Sequence, residues 1–215
     1  MTPEGFAPYV LPQVIGCPDP LLKQAVVMAS IEFCQQTLAW TEIQDPVLLI
    51  GGVADYDLEA PSSDAIVVTV RDVWLGVKRL IPTNMEALPR LLPNWSTAES
   101  SEPLYYNAAH DRNIIRVFPK PVSPAPGLSL VMRAAYMPTA NAATLPDFLG
   151  QRYMEVISSG AKYRLMTMPG VAWSNPTLGT YYRQLFDAGV VEARIAEAHD
   201  RTPGSISVQS RRFGF

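Results

Sequence analysis

Between residues 17 and 40, CPDPLLKQAVVMASIEFCQQTLAW, apolar positions recur three and four apart: Leu22, Val26, Ala29, Phe33, Thr37 and Trp40. The spacing predicts one amphipathic helix of roughly 30 Å, with Asp19 as its cap and Pro20 in its first turn. The opposite face offers Lys23, Gln24 and Glu32 rather than a row of bases. Burial against other helices is therefore favoured over a place on a membrane surface. Residues 1–16 are rich in proline and glycine and show no period, so they read as an extended arm.

From about residue 44 the pattern changes to short β-branched or aromatic runs cut by prolines and glycines: PVLLI, AIVVTVRDVWLGVKRLI, PLYYNA, NIIRVFP and LSLVMRAAYMP. Alternation in IVVTVRDVW would put Ile66, Val68, Val70 and Trp74 on one face. An antiparallel sheet or small sandwich is expected over 44–139. Pro119, Pro121, Pro124 and Pro126 mark an exposed connection, because proline cannot serve within a ladder. EALPRLLPNWSTAESSEP reads as a short helical turn plus loop. GGVADYDLEAPSSD, residues 51–64, brings two glycines and then Asp55, Asp57 and Glu59. It lacks the lysine and helix of a phosphate loop, and the terminal glutamate and flanking helices of a calcium loop. What remains is strand, glycine turn, strand, with the acids outward.

After residue 143 the helical period returns. Thr144 and Asp147 form a capping-box-like start, and Leu149, Tyr153, Val156, Ile157, Gly160 and Ala161 continue a stripe that Pro169-Gly170 ends. A second helix restarts at SNPTLG with Asn175 as cap and Pro176 in its first turn. Its stripe is Leu178, Tyr182, Leu185, Gly189, Ala193 and Ala196. Such a stripe needs a partner, so the first helix must meet the last two in space. The fold class expected is α+β: a helical bundle of one N-terminal and two C-terminal long helices, an inserted antiparallel β domain, and extended terminal arms. In residues, 1–43 hold the N-terminal arm and first helix, 44–139 the β insertion, 140–200 the remaining helices and 201–215 a C-terminal arm.

Composition narrows the chemistry. The chain has 215 residues, 48% hydrophobic and 17% charged, with no apolar run near the roughly 20 residues of a membrane span. No secretory signal opens it, so it reads as a soluble protein acting or assembled in the cytoplasm. Two cysteines (Cys17, Cys34) and two histidines (His110, His199) cannot make a zinc site of familiar spacing. Cys34 falls in the helical stripe as a small buried hydrophobe. His110 reads as a loop residue, and His199 as a favourable helix C-terminal residue. No GxSxG supplies a nucleophile. No catalytic residue, metal or cofactor is expected, and an enzyme is disfavoured. Tyr105, Tyr106, Trp74, Trp95 and Trp173 could stack on bases, but Arg71, Lys78, Arg79, Arg112, Arg116, Lys120 and Arg133 are scattered among acids. The net charge of −3 supplies no basic field, so packing is favoured.

Several stretches, taken in order, resemble the head-to-tail adaptor, or connector, proteins of tailed bacteriophages. They are the first helix ending in Trp40, the GGVADYDL turn, Pro103-Leu104-Tyr105-Tyr106, Phe118-Pro119-Lys120-Pro121, Gly160-Ala161-Lys162 through Pro169-Gly170, Trp173 and Asn175-Pro176. The resemblance spans about residues 20–200. It implies a ring, usually of twelve copies, docked on the portal protein at the virion neck. Such a ring extends the DNA channel, lets DNA pass without sequence-specific binding, and offers a platform to a tail or nozzle protein. It also implies a C-terminal arm that grips the portal or a neighbour. The matching segment here carries Ser205, Ile206, Val208, Arg211, Arg212, Phe213 and Phe215; read by itself, it is a polar tail without fixed structure. Rival readings are a tail-tube or tail-completion protein, against which the two long C-terminal helices count, a small enzyme, and a nucleic-acid-binding module, against which charge counts.

Overall fold

The computed structural model describes residues 1–109, 113–123 and 127–200, and within these the protein is α+β. Its helices are α1 (Ala7–Val10), α2 (Asp19–Thr37), α3 (Leu88–Leu91), α4 (Asp147–Arg152), α5 (Met154–Met166) and α6 (Pro176–Asp200). Two 3-10 turns, Pro3–Phe6 and Leu11–Gln13, flank α1. The strands are β1 (Thr41–Ile43), β2 (Val47–Leu48), β3 (Asp55–Asp57), β4 (Ala65–Leu75), β5 (Lys78–Arg79), β6 (Ile81–Pro82), β7 (Glu99–Ser100), β8 (Tyr105–Ala109), β9 (Ile114–Phe118), β10 (Lys120–Pro121) and β11 (Ser129–Pro138). Among the described residues, two compact units result: residues 1–3 with 40–147, and residues 4–39 with 148–200.

In the helical unit, α2 buries Leu22, Val26, Ala29, Phe33 and Thr37, the stripe that its spacing sets out. Pro18 occupies the cap position and makes no side-chain cap, so Asp19 stands one place inside the expected cap and contributes its charge to the first turn. Leu38, left-handed at φ 55°, ends the helix, its N–H donating to Cys34 O at 2.9 Å. Trp40 therefore lies beyond the helix, in the other unit. Helices α2, α5 and α6 pack on one another. Gly160 permits this closeness: a Cβ there would lie 2.7 Å from the Phe186 ring and 3.0 Å from Ala29 Cβ.

The N-terminal segment is not an extended arm. Phe6, Val10 and Val14 are fully buried and recur every four residues across the short helical turns. Pro8 and Pro12 sit in first turns, where a missing N–H costs nothing. Other expectations for the helices also shift. The stripe after residue 147 is split at Tyr153, whose φ of −124° separates α4 from α5. Thr144 and Asp147 form no capping box, because the Thr144 N–H and hydroxyl both bond Asp64 Oδ2, at 2.9 and 2.7 Å. Asn175 does cap α6, accepting from Leu178 N–H at 3.1 Å. The buried face of α6 is Gly179, Phe186, Gly189, Val190 and Ala193, leaving Leu185 and Ala196 exposed. Phe186, fully buried and without a polar group to satisfy, recentres that face, while Tyr181 stays exposed.

In the β unit, the long strands β4 and β11 pair antiparallel. β5 extends the sheet beyond β4, and β1 and β2 both pair with the far side of β11. A second sheet runs β3-β9-β8-β6, and β7 pairs with β10 apart from both. The two sheets share a core that includes Val73, Leu75, Leu130 and Met132 from one and Tyr56, Tyr106, Ile115 and Val117 from the other. The insertion is not wholly antiparallel: β6–β8 and β7–β10 are parallel. Nor do Ile66, Val68, Val70 and Trp74 share one face, since of the four only Val70 packs against the core. The β4–β11 register shifts twice, between Arg133 and Ala134 and between Ala135 and Tyr136. Each shift adds a residue on β4 and reverses its phase, so Val67, Val70, Val73 and Leu75 point to the core. Residues 51–52 are a turn, with Gly52 at φ 84°, but they link strands of different sheets rather than a hairpin. Pro119 and Pro121 are buried rather than exposed, Pro121 inside β10; Pro124 and Pro126 lie outside the described residues.

Candidate functional site

The ionisable groups of the β unit are largely spent on one another. Asp72, buried where β4 shifts register, pairs with Arg79 of β5 and, at 3.2 Å, with Arg133 of β11. Asp55 receives Arg116 Nε and Nη2 at 2.5 and 2.6 Å from its cross-strand neighbour, a bidentate fork. Asp55, Asp57 and Glu59 are exposed between the buried Tyr56 and Leu58, the alternation expected of a strand leaving a turn. Lys78 pairs loosely with Glu102 at 3.8 Å. Among the described residues, Lys78, Arg79, Arg116 and Arg133 thus face carboxylates. Of the aromatic residues, Tyr106 is buried and Trp95 packs edge-on against Phe118 at 6.0 Å.

A groove of about 440 Å³ in the same unit is lined by Glu42, Gln44, Asp45, Asp57, Glu59 and Tyr136, among others. Its polar groups are knit together. Gln44 Nε2 donates to Glu59 O at 2.5 Å and to Tyr136 Oη at 3.0 Å, and Tyr136 in turn donates to Glu59 O at 3.2 Å. Burial pushes the Tyr136 phenol up, so it remains a donor. Among the described residues, no group of three or more His, Cys, Asp or Glu is placed to hold a metal ion.

In the helical unit the organising charge is Glu32, which the sequence places on a solvent face. Its Oε2 accepts from Arg164 Nη2 on α5 at 2.5 Å and its Oε1 from Arg183 Nη1 on α6 at 2.7 Å. Arg183 also forks onto Asp187 and lies 5.4 and 5.5 Å from the Tyr163 and Phe186 rings. A second pocket, of about 380 Å³, is lined by Pro8, Tyr9, Gln13, Glu155, Ser158, Ser159, Lys162, Tyr182 and Leu185. Sequence reading missed it. Its one sequence signal is Ser158 and Lys162 a turn apart, which means nothing until the N-terminal segment packs beside them.

Cys34 is buried and its thiol is pushed up to about 12, so it stays protonated and unreactive; Cys17 is also raised, by burial and then by Asp19. His199 is exposed in the last turn of α6. His110, Arg112 and the docking candidates Ser205, Ile206, Val208, Arg211, Arg212, Phe213 and Phe215 lie outside the described residues. What the described surface does offer is apolar. Tyr181, Leu185, Val191 and Ile195, each 41–52% exposed, run along α6 on the side away from Phe186 and Val190. Among the described residues, no helix is long and apolar enough to cross a membrane. The chain matches no protein-family model and no curated protein.

Proposed function

We propose that the chain is a structural protein of a tailed-phage neck, a head-to-tail adaptor that docks on the portal ring, extends the DNA channel and presents a platform to a tail or nozzle protein. The observation that carries this reading is the outward apolar row of α6. A 25-residue helix that buries Phe186, Val190 and Ala193 on one side and exposes Tyr181, Leu185, Val191 and Ile195 on the other has two apolar faces. A face of that kind marks a surface that is completed by association, as in a closed ring of identical copies. In this reading the helices form the bundle that builds the ring, and the β unit is the insertion within it. Residues 201–215, with Arg201, Arg211 and Arg212 and no acid, are the arm that reaches the portal.

The neutralised bases of the β unit and the overall charge of −3 suit a conduit that lets phosphate pass rather than holds it. The resemblance of the motifs supplies the partner and a stoichiometry of about twelve. Electron microscopy of purified portal rings mixed with the full-length protein tests the reading. A continuous added ring, with the copy number of the portal, is expected. Portal rings that remain bare, or tight salt-dependent binding of the protein to duplex DNA, would overturn it.

A further inference from the structure

Ser158 and Lys162 stand one turn apart on α5 and line the same 380 Å³ pocket. Each has an unmet demand. Ser158 is 1% exposed and its Oγ has no hydrogen-bond partner, although neighbouring Ser159 donates normally to Glu155 O at 2.8 Å. A hydroxyl so buried is ordinarily satisfied. Lys162 Nζ lies 4.7 Å from the Tyr182 ring centroid and forms no ion pair within 4 Å among the described residues. Burial pushes its pKa down, and Glu155 at the pocket wall only partly offsets this. Hydroxyl donor and ammonium therefore line one cavity, the hydroxyl with no hydrogen-bond partner and the ammonium with no carboxylate within ion-pair distance.

The chemistry of an acceptor follows from the lining. It must be anionic to meet the ammonium and must offer an oxygen to Ser158. A dianion is disfavoured, because one cation faces it and the Glu155 carboxylate repels it. Pro8, Tyr9, Tyr182 and Leu185 surround the polar pair with aromatic and aliphatic surface, which calls for a carbon body. The volume is at the small end of ligand pockets, roughly 300–1,000 Å³. We propose that this pocket binds a small monocarboxylate with an aromatic or aliphatic body, its carboxylate between Ser158 Oγ and Lys162 Nζ. The site shares Leu185 with the outward row of α6 but does not rest on the neck reading, and it survives if that reading fails.

The test is amide NMR of the full-length ¹⁵N-labelled protein titrated with benzoate, benzamide and phenyl phosphate. Benzoate should move resonances of residues 155–162 and 182–185 saturably, with a dissociation constant on the order of 1 mM. Benzamide, the neutral isostere, should bind about tenfold more weakly, and phenyl phosphate more weakly than benzoate. Lys162→Met should reduce benzoate affinity about tenfold, and Ser158→Ala about threefold. Ser158→Ala removes a single atom and leaves the packing intact, so it decides the matter if the lysine variant fails to fold. Equal affinity for benzoate and benzamide, tighter binding of the phosphate, or shifts confined to other parts of the protein would overturn the proposal.

Discussion

Glu32 shows how much one side chain can hold. It is the only link among the described ion pairs that joins α2 to both α5 and α6, through Arg164 and Arg183. Its side chain is 19% exposed, so the pairs are only partly screened. Glu32→Ala should lower unfolding free energy by about 2–3 kcal/mol, and Glu32→Gln by less, since the amide oxygen still accepts. Urea denaturation of the two variants checks the order. Ser158→Ala should do the reverse and stabilise by about 1 kcal/mol, because a buried hydroxyl without a partner is removed. A lower urea midpoint would show that the hydroxyl is satisfied after all. Asp64 adds a pH dependence. The Thr144 hydroxyl and N–H bonds hold its carboxyl below the usual 3.8. A depressed folded-state pKa contributes stability that is present above the unfolded value and lost as pH falls through the folded one. The Asp64 titration followed by NMR should have its midpoint below 3.8, returning towards that value in Thr144→Val.

At the scale of elements, two glycines set how closely the helices approach. A Cβ at position 189 would lie 2.4 Å from Val156 Cγ2. Gly189→Ala should therefore destabilise by about 1–3 kcal/mol through overpacking, despite the better helix propensity of alanine. Adding Val156→Ala should recover part of the loss, a non-additivity that a double-mutant cycle measures. Helix content was legible where period and caps agreed: the stripe of α2, the Asn175 cap and the restart at Pro176 all stand in the residues themselves. The inward face of β4 was not. Two register shifts against β11 reverse its phase, and only the partner strand determines where they fall. The N-terminal segment reads as an arm because its prolines and glycines hide the period, although Phe6, Val10 and Val14 keep a four-residue repeat through it. Likewise α6 carries two apolar faces, and its sequence does not say which one Phe186 will claim. The Ser158–Lys162 pocket stayed hidden for a related reason, since it exists only through residues brought together from three segments.

At the scale of the molecule, the proposed docking arm makes a separable prediction. Deleting residues 205–215 should leave the far-ultraviolet dichroism and urea midpoint of the protein unchanged while abolishing its sedimentation with portal rings. Undiminished co-sedimentation would remove the arm from the mechanism. Replacing Leu185, Val191 and Ile195 with glutamine should leave the arm able to touch the portal but prevent a closed ring, which electron microscopy distinguishes from simple loss of binding.

The path of the chain between the two units carries one more implication. Residues 40–147 leave the helical sequence once and return once, and the segment's first and last strands are neighbours, with Tyr136 N–H donating to Trp40 O at 2.8 Å and β1 laid along β11. To a recombining genome, such a stretch is close to a cassette, tied to the start of the chain where the Met1 ammonium donates to Leu145 O at 2.6 Å, so an exchange between positions 39 and 148 would have to reseat residues 1–3.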